Sequence, residues 1–249
     1  MRKLLFFVLV LLFDVAAMYA QTNEITSTDE NTEMGTVYYS VEDVYPFGVG
    51  LAVSFKGGVN TLDSPGGVKN GYVFTAMPDI GAQVYVPFGT ENNMGLLLDL
   101  AYITYPYQFK LYKDENVTWV DKLSYFSIAP NFHISGFLFG FNFGFPMAAN
   151  SENGDVAENP YKYNYEKDNM KFLMDVHIGA LIPLLKSDLG RLNLYIQAEY
   201  ALSKIFDPDL QTISDVNLGY QEFNIQPAAI KFGLSYIFNT GLMRKTKTN

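Results

Sequence analysis

The sequence predicts an all-β protein: an eight-stranded antiparallel up-and-down transmembrane β-barrel with long external loops and short periplasmic turns. Three observations lead there. Large apolar residues alternate with polar or small ones, period two, through eight segments. Aromatic residues make up 16% of the 249 residues, 20 Phe and 18 Tyr against one Trp, while charged residues make up only 17%. That composition is poor for a soluble surface and rich for an interfacial one. After Phe13 no apolar run approaches the roughly eighteen residues a spanning helix needs. Closed strands are then the remaining way across a bilayer.

Residues 1–20 read as a secretory signal peptide. Arg2 and Lys3 precede the apolar run Leu4 to Phe13, and small residues lead to Ala20. Ala20 suits the −1 position although Met18 at −3 is bulky; cleavage after Ala17, with Val15 at −3, is the alternative. The remaining chain keeps 15 basic and 25 acidic residues, a net charge of −10 once Arg2, Lys3 and Asp14 are removed. Nucleic acid is excluded as a partner, because it requires a basic surface. There is no cysteine, which excludes a disulfide scaffold, a Cys-anchored lipoprotein and a thiol enzyme.

Residues 21–46 are acidic, with Glu24, Asp29, Glu30, Glu33, Glu42 and Asp43 and no Lys or Arg. The first dozen read as disordered; Gly35 to Ser40 reads as either an added short strand or a plug. The barrel is assigned to 47–238. Its first segment, 47–56, sets Phe47, Val49, Leu51, Val53 and Phe55 against Gly48, Gly50, Ala52, Ser54 and Lys56. Segments 79–88, 95–107 and 123–135 repeat the pattern. Segment 137–146 is the clearest: Phe137, Phe139, Phe141, Phe143 and Phe145 oppose Leu138, Gly140, Asn142 and Gly144. Segments 171–182, 191–203 and 228–238 complete eight strands of roughly ten residues, the length a tilted membrane strand requires. The tail 239–249, with Arg244, Lys245 and Lys247, reads as a solvated basic extension.

The connections alternate long (57–71), short (89–94), long (about 108–122), short (Ser135-Gly136), long (147–169), short (Ser187 to Gly190) and long (204–224). Short periplasmic turns and longer external loops give this alternation, with both termini on the periplasmic side. Turn-rich sequence marks the long ones, as in Ser64-Pro65-Gly66-Gly67 and Asn150-Ser151-Glu152-Asn153-Gly154.

The polar-or-small face lines a lumen just wide enough for side chains to fill. It carries Lys56, Asp99, Asn131, His133, Asp175, His177, Arg191, Glu199 and Lys231. The hairpin around 187–190 sets His177 opposite Glu199, and closure of first strand on last brings Lys56 near Lys231. Buried charges need partners, so an ion-pair and hydrogen-bond network plugging the lumen is expected. The chemical alternative is a hydrolase using His177 with Asp175 or Glu199, or His133, and Ser203 or Ser135 as nucleophile. It is disfavoured because Asp175-Val176-His177 lies mid-strand, and no G-x-S-x-G occurs. Two histidines and no Cys give no dedicated metal site, and no cofactor is expected.

The final strand, Lys231-Phe232-Gly233-Leu234-Ser235-Tyr236-Ile237-Phe238, resembles the β-signal by which the barrel-assembly machinery recognises outer-membrane barrels. Lys231, Gly233, Tyr236 and Phe238 occupy its polar, glycine and two aromatic places; the departure is that eleven residues follow Phe238. Residues 47–238 resemble the small outer-membrane barrel domains of PorT-like and OmpA-transmembrane-like type, often found in Bacteroidota, and the Ala20-Gln21 junction resembles signal cleavage in that group. The resemblance implies a barrel in the outer membrane, in contact with its lipid. It supports function hardly at all.

Three roles remain open. The leading one is a structural or interaction scaffold, non-enzymatic, whose external loops meet a protein or glycan. Tyr161-Lys162-Tyr163-Asn164-Tyr165 suits such a surface, unless Tyr and Trp119 only form the interfacial girdle. The second is a PorT-like component of secretion or envelope-assembly machinery. The third is a soluble periplasmic ligand-binding barrel, with the two faces reversed.

Overall fold

Alternation with period two becomes a closed ring. A computed structural model describes residues 39–44, 47–62, 68–75, 77–88, 94–111, 114–153, 162–165, 167–187, 189–205, 225–240 and 243–248. Eight strands form the ring: β1 (Phe47–Asn60), β2 (Asp79–Phe88), β3 (Met94–Leu111), β4 (Asp114–Ile134), β5 (Phe137–Asn153), β6 (Leu173–Ser187), β7 (Gly190–Ala201) and β8 (Pro227–Thr240). Each pairs antiparallel with its neighbours in sequence, and β8 pairs with β1 from Thr240↔Phe47 to Pro227↔Asn60. The result is an eight-stranded up-and-down barrel without a free edge in the ring.

The faces follow the alternation. Phe47, Val49, Leu51, Val53 and Phe55 are exposed, while Gly48, Gly50, Ala52, Ser54 and Lys56 are buried. The phenylalanines of β5 point outward, and Leu138, Gly140, Asn142 and Gly144 inward. Ala180, assigned outward, is buried, because its register neighbours Ile196 and Phe137 are larger and shade the methyl group. Outward rings meet one another across strands: Phe55 and Phe74 on Phe232, Phe132 on Phe139, Phe145 on Phe172.

Several boundaries differ from the sequence reading. Strands β3, β4 and β5 have 18, 21 and 17 residues rather than about ten. The expected long loop at 108–122 is strand: β3 and β4 stay paired from Met94↔Ile134 to Leu111↔Asp114. Asn150–Asn153 likewise belongs to β5 rather than to a turn. Inward-facing Tyr105, Tyr107, Phe109, Trp119 and Leu123 continue a buried stripe past the point where the other strands end, and that burial sustains the hairpin. Val68–Gly71 pairs with β3 and Lys162–Tyr165 with β5, so a five-stranded wall rises on one side of the long-loop end.

At the other end the connections are short. Ser135 (φ 48°) and Gly136 (φ 86°) form the two-residue turn between β4 and β5. Positive φ at both positions marks the type I′ hairpin, whose twist matches that of the flanking strands. The tail does not run free: Met243–Thr248 pairs antiparallel with Tyr39–Val44, which sets Lys245 opposite Glu42 and Arg244 opposite Asp43. The signal peptide, residues 21–38, Ser64–Gly67, Gly154 and Tyr161 lie outside the described residues.

Candidate functional site

Inward positions from all eight ring strands meet in three layers. In the middle is an ionic layer. Lys56 and Lys231 face each other in register across the β1–β8 seam. Glu199 of β7 lies between them, each lysine Nζ 2.8 Å from a carboxylate oxygen. Lys56 also lies 3.3 Å from Asp79 and 3.9 Å above the ring of Tyr105. Asp79 accepts a 2.7 Å hydrogen bond from the Thr104 backbone N–H.

The Tyr105 hydroxyl bridges two carboxylates, 2.6 Å from Asp175 and 2.8 Å from Glu199. Asp175 accepts a further hydrogen bond from the Asn142 amide, whose oxygen accepts from Ser127. His177 stands opposite Glu199 in register, with Nδ1 3.4 Å from Asp175 and Nε2 hydrogen-bonded to Asn131 Oδ1. The Asn131 amide nitrogen donates to the Leu97 and Ala129 carbonyls. Its oxygen therefore points at His177, and Nε2 must be the donor. Asp99 accepts from Gln83 at 3.4 Å. Gly140 makes room for its neighbours: a Cβ there would collide with the Pro130 backbone carbonyl oxygen and lie 2.8 Å from His177 Nε2 and 2.9 Å from Asn131 Oδ1.

Apolar layers close both sides. Toward the long-loop end Tyr107, Phe109, Trp119, Leu123, Tyr125 and Leu173 form one buried cluster. Ile205 and Ile225, from the ends of the last long connection, are fully buried in it, joined by a 2.9 Å backbone hydrogen bond. Trp119 is thus no girdle residue; it points inward and stacks on Phe109 at 6.3 Å. Toward the short-turn end Tyr85, Leu97, Leu138, Leu181, Tyr195 and Ile237 form the second cluster.

Two residues expected in the polar network stand apart from the ionic layer. His133 lies at the short-turn end, where the Gly136 N–H donates to Nε2 at 3.1 Å. Nδ1 then carries the proton and donates to the Tyr85 oxygen at 3.1 Å, and the Tyr85 hydroxyl donates to Met94 O at 3.3 Å. Arg191 stacks on the same Tyr85 ring, 3.9 Å from its centroid.

Tyr105, Asp79, Gln83, Ser127 and Asn142 are members of the layer that sequence reasoning did not assign to the network, and Tyr85 joins His133 and Arg191 at the short-turn end. Asp79, Tyr85 and Asn142 already sat on inward positions, and Tyr105 continues the inward series Leu97, Asp99, Ala101, Ile103. Of the insertion-signal residues, Lys231 and Gly233 face the interior. Tyr236 and Phe238 face outward, with ring centroids 4.6 Å apart. Ser203, a candidate nucleophile, lies four positions beyond Glu199 along the chain and donates to the Phe172 carbonyl.

No family model and no curated protein matches the chain. Among solved structures it is similar to Neisserial surface protein A, at 9% identity and TM-score 0.35, covering 82% of this chain and 99% of that one. It is also similar to outer membrane protein AlkL in lipid bilayers, at 12% identity and TM-score 0.35, over 86% and 98% of the two chains. A third likeness, to the outer membrane protease OmpT from Escherichia coli, has 10% identity and TM-score 0.32 over 82% and 99%.

Proposed function

We propose that the chain is an outer-membrane barrel with a plugged lumen, serving as a non-enzymatic scaffold whose raised β3–β4–β5 wall and long loops meet a protein or glycan partner. The observation that carries this reading is the inversion of polarity: phenylalanine and leucine outside, paired lysines and carboxylates inside. From Phe47 to Phe55 the apolar face of β1 spans eight rises, about 26 Å along the strand and about 20 Å along the axis at a 40° tilt, close to a bilayer's apolar band. A water-soluble barrel of this pattern would leave that entire face in water, far beyond the patches monomers tolerate.

The plug is supported by the layering. Lys56 and Asp175 are fully buried, and apolar clusters stand on both sides of them. A scaffold is favoured over a hydrolase because both histidines are buried with their hydrogen bonds committed within the barrel. Export through a cleaved signal peptide and handling by barrel-assembly machinery belong to the same reading.

The test is outer-membrane fractionation followed by gel mobility in SDS with and without boiling. A faster unboiled band in the outer-membrane fraction is the expected result. A heat-indifferent protein in the periplasm overturns it.

A further inference from the structure

The closing seam of the barrel does not stop where the barrel stops. From Pro227↔Asn60 to Thr240↔Phe47, β8 and β1 pair one residue for one. Beyond them Met243–Thr248 pairs with Tyr39–Val44, from Val44↔Met243 to Tyr39↔Thr248. Two residues on each strand separate the stretches, 45–46 and 241–242, so the outer pairs keep the register of the inner ones. First and last strand therefore share one ladder. Six residues of it, about 20 Å, lie beyond the barrel as a two-stranded ribbon. Two strands alone are marginally stable, and continuity with the seam supports them.

Inside the barrel the seam specifies its register weakly. Four of the 14 residues of β1 are glycine, and glycine-rich strands are prone to slip. A slip of two residues keeps every side chain on its own face, so the alternation of large and small residues does not oppose it. The only charged residues facing each other across the seam, Lys56 and Lys231, have the same sign. That pair is unfavourable unless Glu199 lies between them. The ribbon supplies what the seam lacks. Glu42 stands opposite Lys245 and Asp43 opposite Arg244. Sliding one strand by one or two residues in either direction leaves at most one pair of opposite charges.

We propose that the two ends of the chain form a register clasp: Tyr39–Val44 and Met243–Thr248 meet through complementary charge and align β1 with β8 as the ring closes. The ionic layer fixes the seam inside the barrel, and the clasp fixes it at the short-turn end. The joining of two distant strands is the step where such guidance matters most, because no turn connects them to set the register.

The chain has no cysteine, so pairs of introduced cysteines report the register by oxidation. Val49→Cys with Phe238→Cys reads the native register, and Leu51→Cys with Phe238→Cys reads a slip of two. After refolding from urea, the first pair should crosslink and the second should not. Ser40→Cys with Lys247→Cys, partners in the ribbon, should crosslink as well. Arg244→Glu with Lys245→Glu sets like charges opposite each other and should lower the native-to-slipped ratio at least about threefold. Adding Glu42→Lys with Asp43→Lys restores opposite charges in the same register and should restore the ratio. A reversed variant that fails to close, and closes again after the swap, supports the clasp equally. The clasp is overturned by an unchanged ratio in the reversed variant, by a swap that rescues nothing, or by a ribbon pair that does not crosslink.

Discussion

Replacing Glu199 with Gln removes the one carboxylate shared by Lys56 and Lys231. At 2.8 Å and an effective dielectric of about 20, each attraction is about 6 kcal/mol before desolvation is subtracted. Losing one partner of a buried pair costs about 3–5 kcal/mol, because the other charge stays buried and uncompensated. The two lysines do not share the loss equally. Lys56 keeps Asp79 at 3.3 Å, whereas Lys231 has no other ion-pair partner among the described residues. Glu199→Gln should therefore destabilise the barrel by about 3–5 kcal/mol, and adding Lys231→Met should return most of that. The assay is urea unfolding in phospholipid vesicles, followed by Trp119 fluorescence and by the fraction of fast-migrating band. The reasoning is refuted if Glu199→Gln lies within about 1 kcal/mol of the native protein. It is refuted equally if Lys231→Met costs the same in both backgrounds, since the cycle would then contain no coupling.

The same titration checks three further expectations. Phe141→Arg, in the middle of the outward run of β5, should cost about 2–4 kcal/mol and Phe238→Arg, near the short-turn end of β8, about 0–1; equal and negligible costs would mean the face meets water. Gly140→Ala pushes a methyl group into the Pro130 carbonyl, His177 and Asn131 and should cost about 1–3 kcal/mol, while Ala82→Val on the outward face should be near neutral. Ser135→Asn should stabilise the β4–β5 turn by about 0.5 kcal/mol, because asparagine tolerates the positive φ that serine holds there.

Which side chains face out was legible because strand geometry has period two and each segment sets large apolar residues against polar or small ones. Phe137 to Phe145 needed nothing more. Where strands end was less legible. Tyr107, Phe109 and Trp119 lie among Lys110, Lys113, Asp114 and Glu115, and charge so dense reads as loop. Burial of the aromatic stripe above the ring outweighed it. Neighbours on adjacent strands, such as His177 and Glu199, follow from turn length. Contacts across the lumen do not: Tyr105 reaches Asp175 from 70 residues away, and only the tilt of the closed barrel sets that pairing. For the same reason Arg191 and His133, polar and inward like the rest, could not be separated from the ionic layer by sequence alone.

The ionic layer also dictates the order in which the chain can be completed. Lys56 is contributed by the first strand and Glu199 by the seventh; Tyr105 bonds a carboxylate 94 residues downstream. Until β7 and β8 arrive, Lys56 has only Asp79 of β2 as a counter-charge, and Asp99 and Asp175 stand in a growing sheet that does not yet hold Lys231, where unpaired charge is expensive. Charge neutralisation and closure of the ring are thus one event. A partly zipped intermediate gains little by entering the bilayer early, and a chain cut short before Glu199 should stall at its surface. On the membrane reading proposed above, the interior would serve as a checkpoint that passes only a chain carrying its seventh and eighth strands.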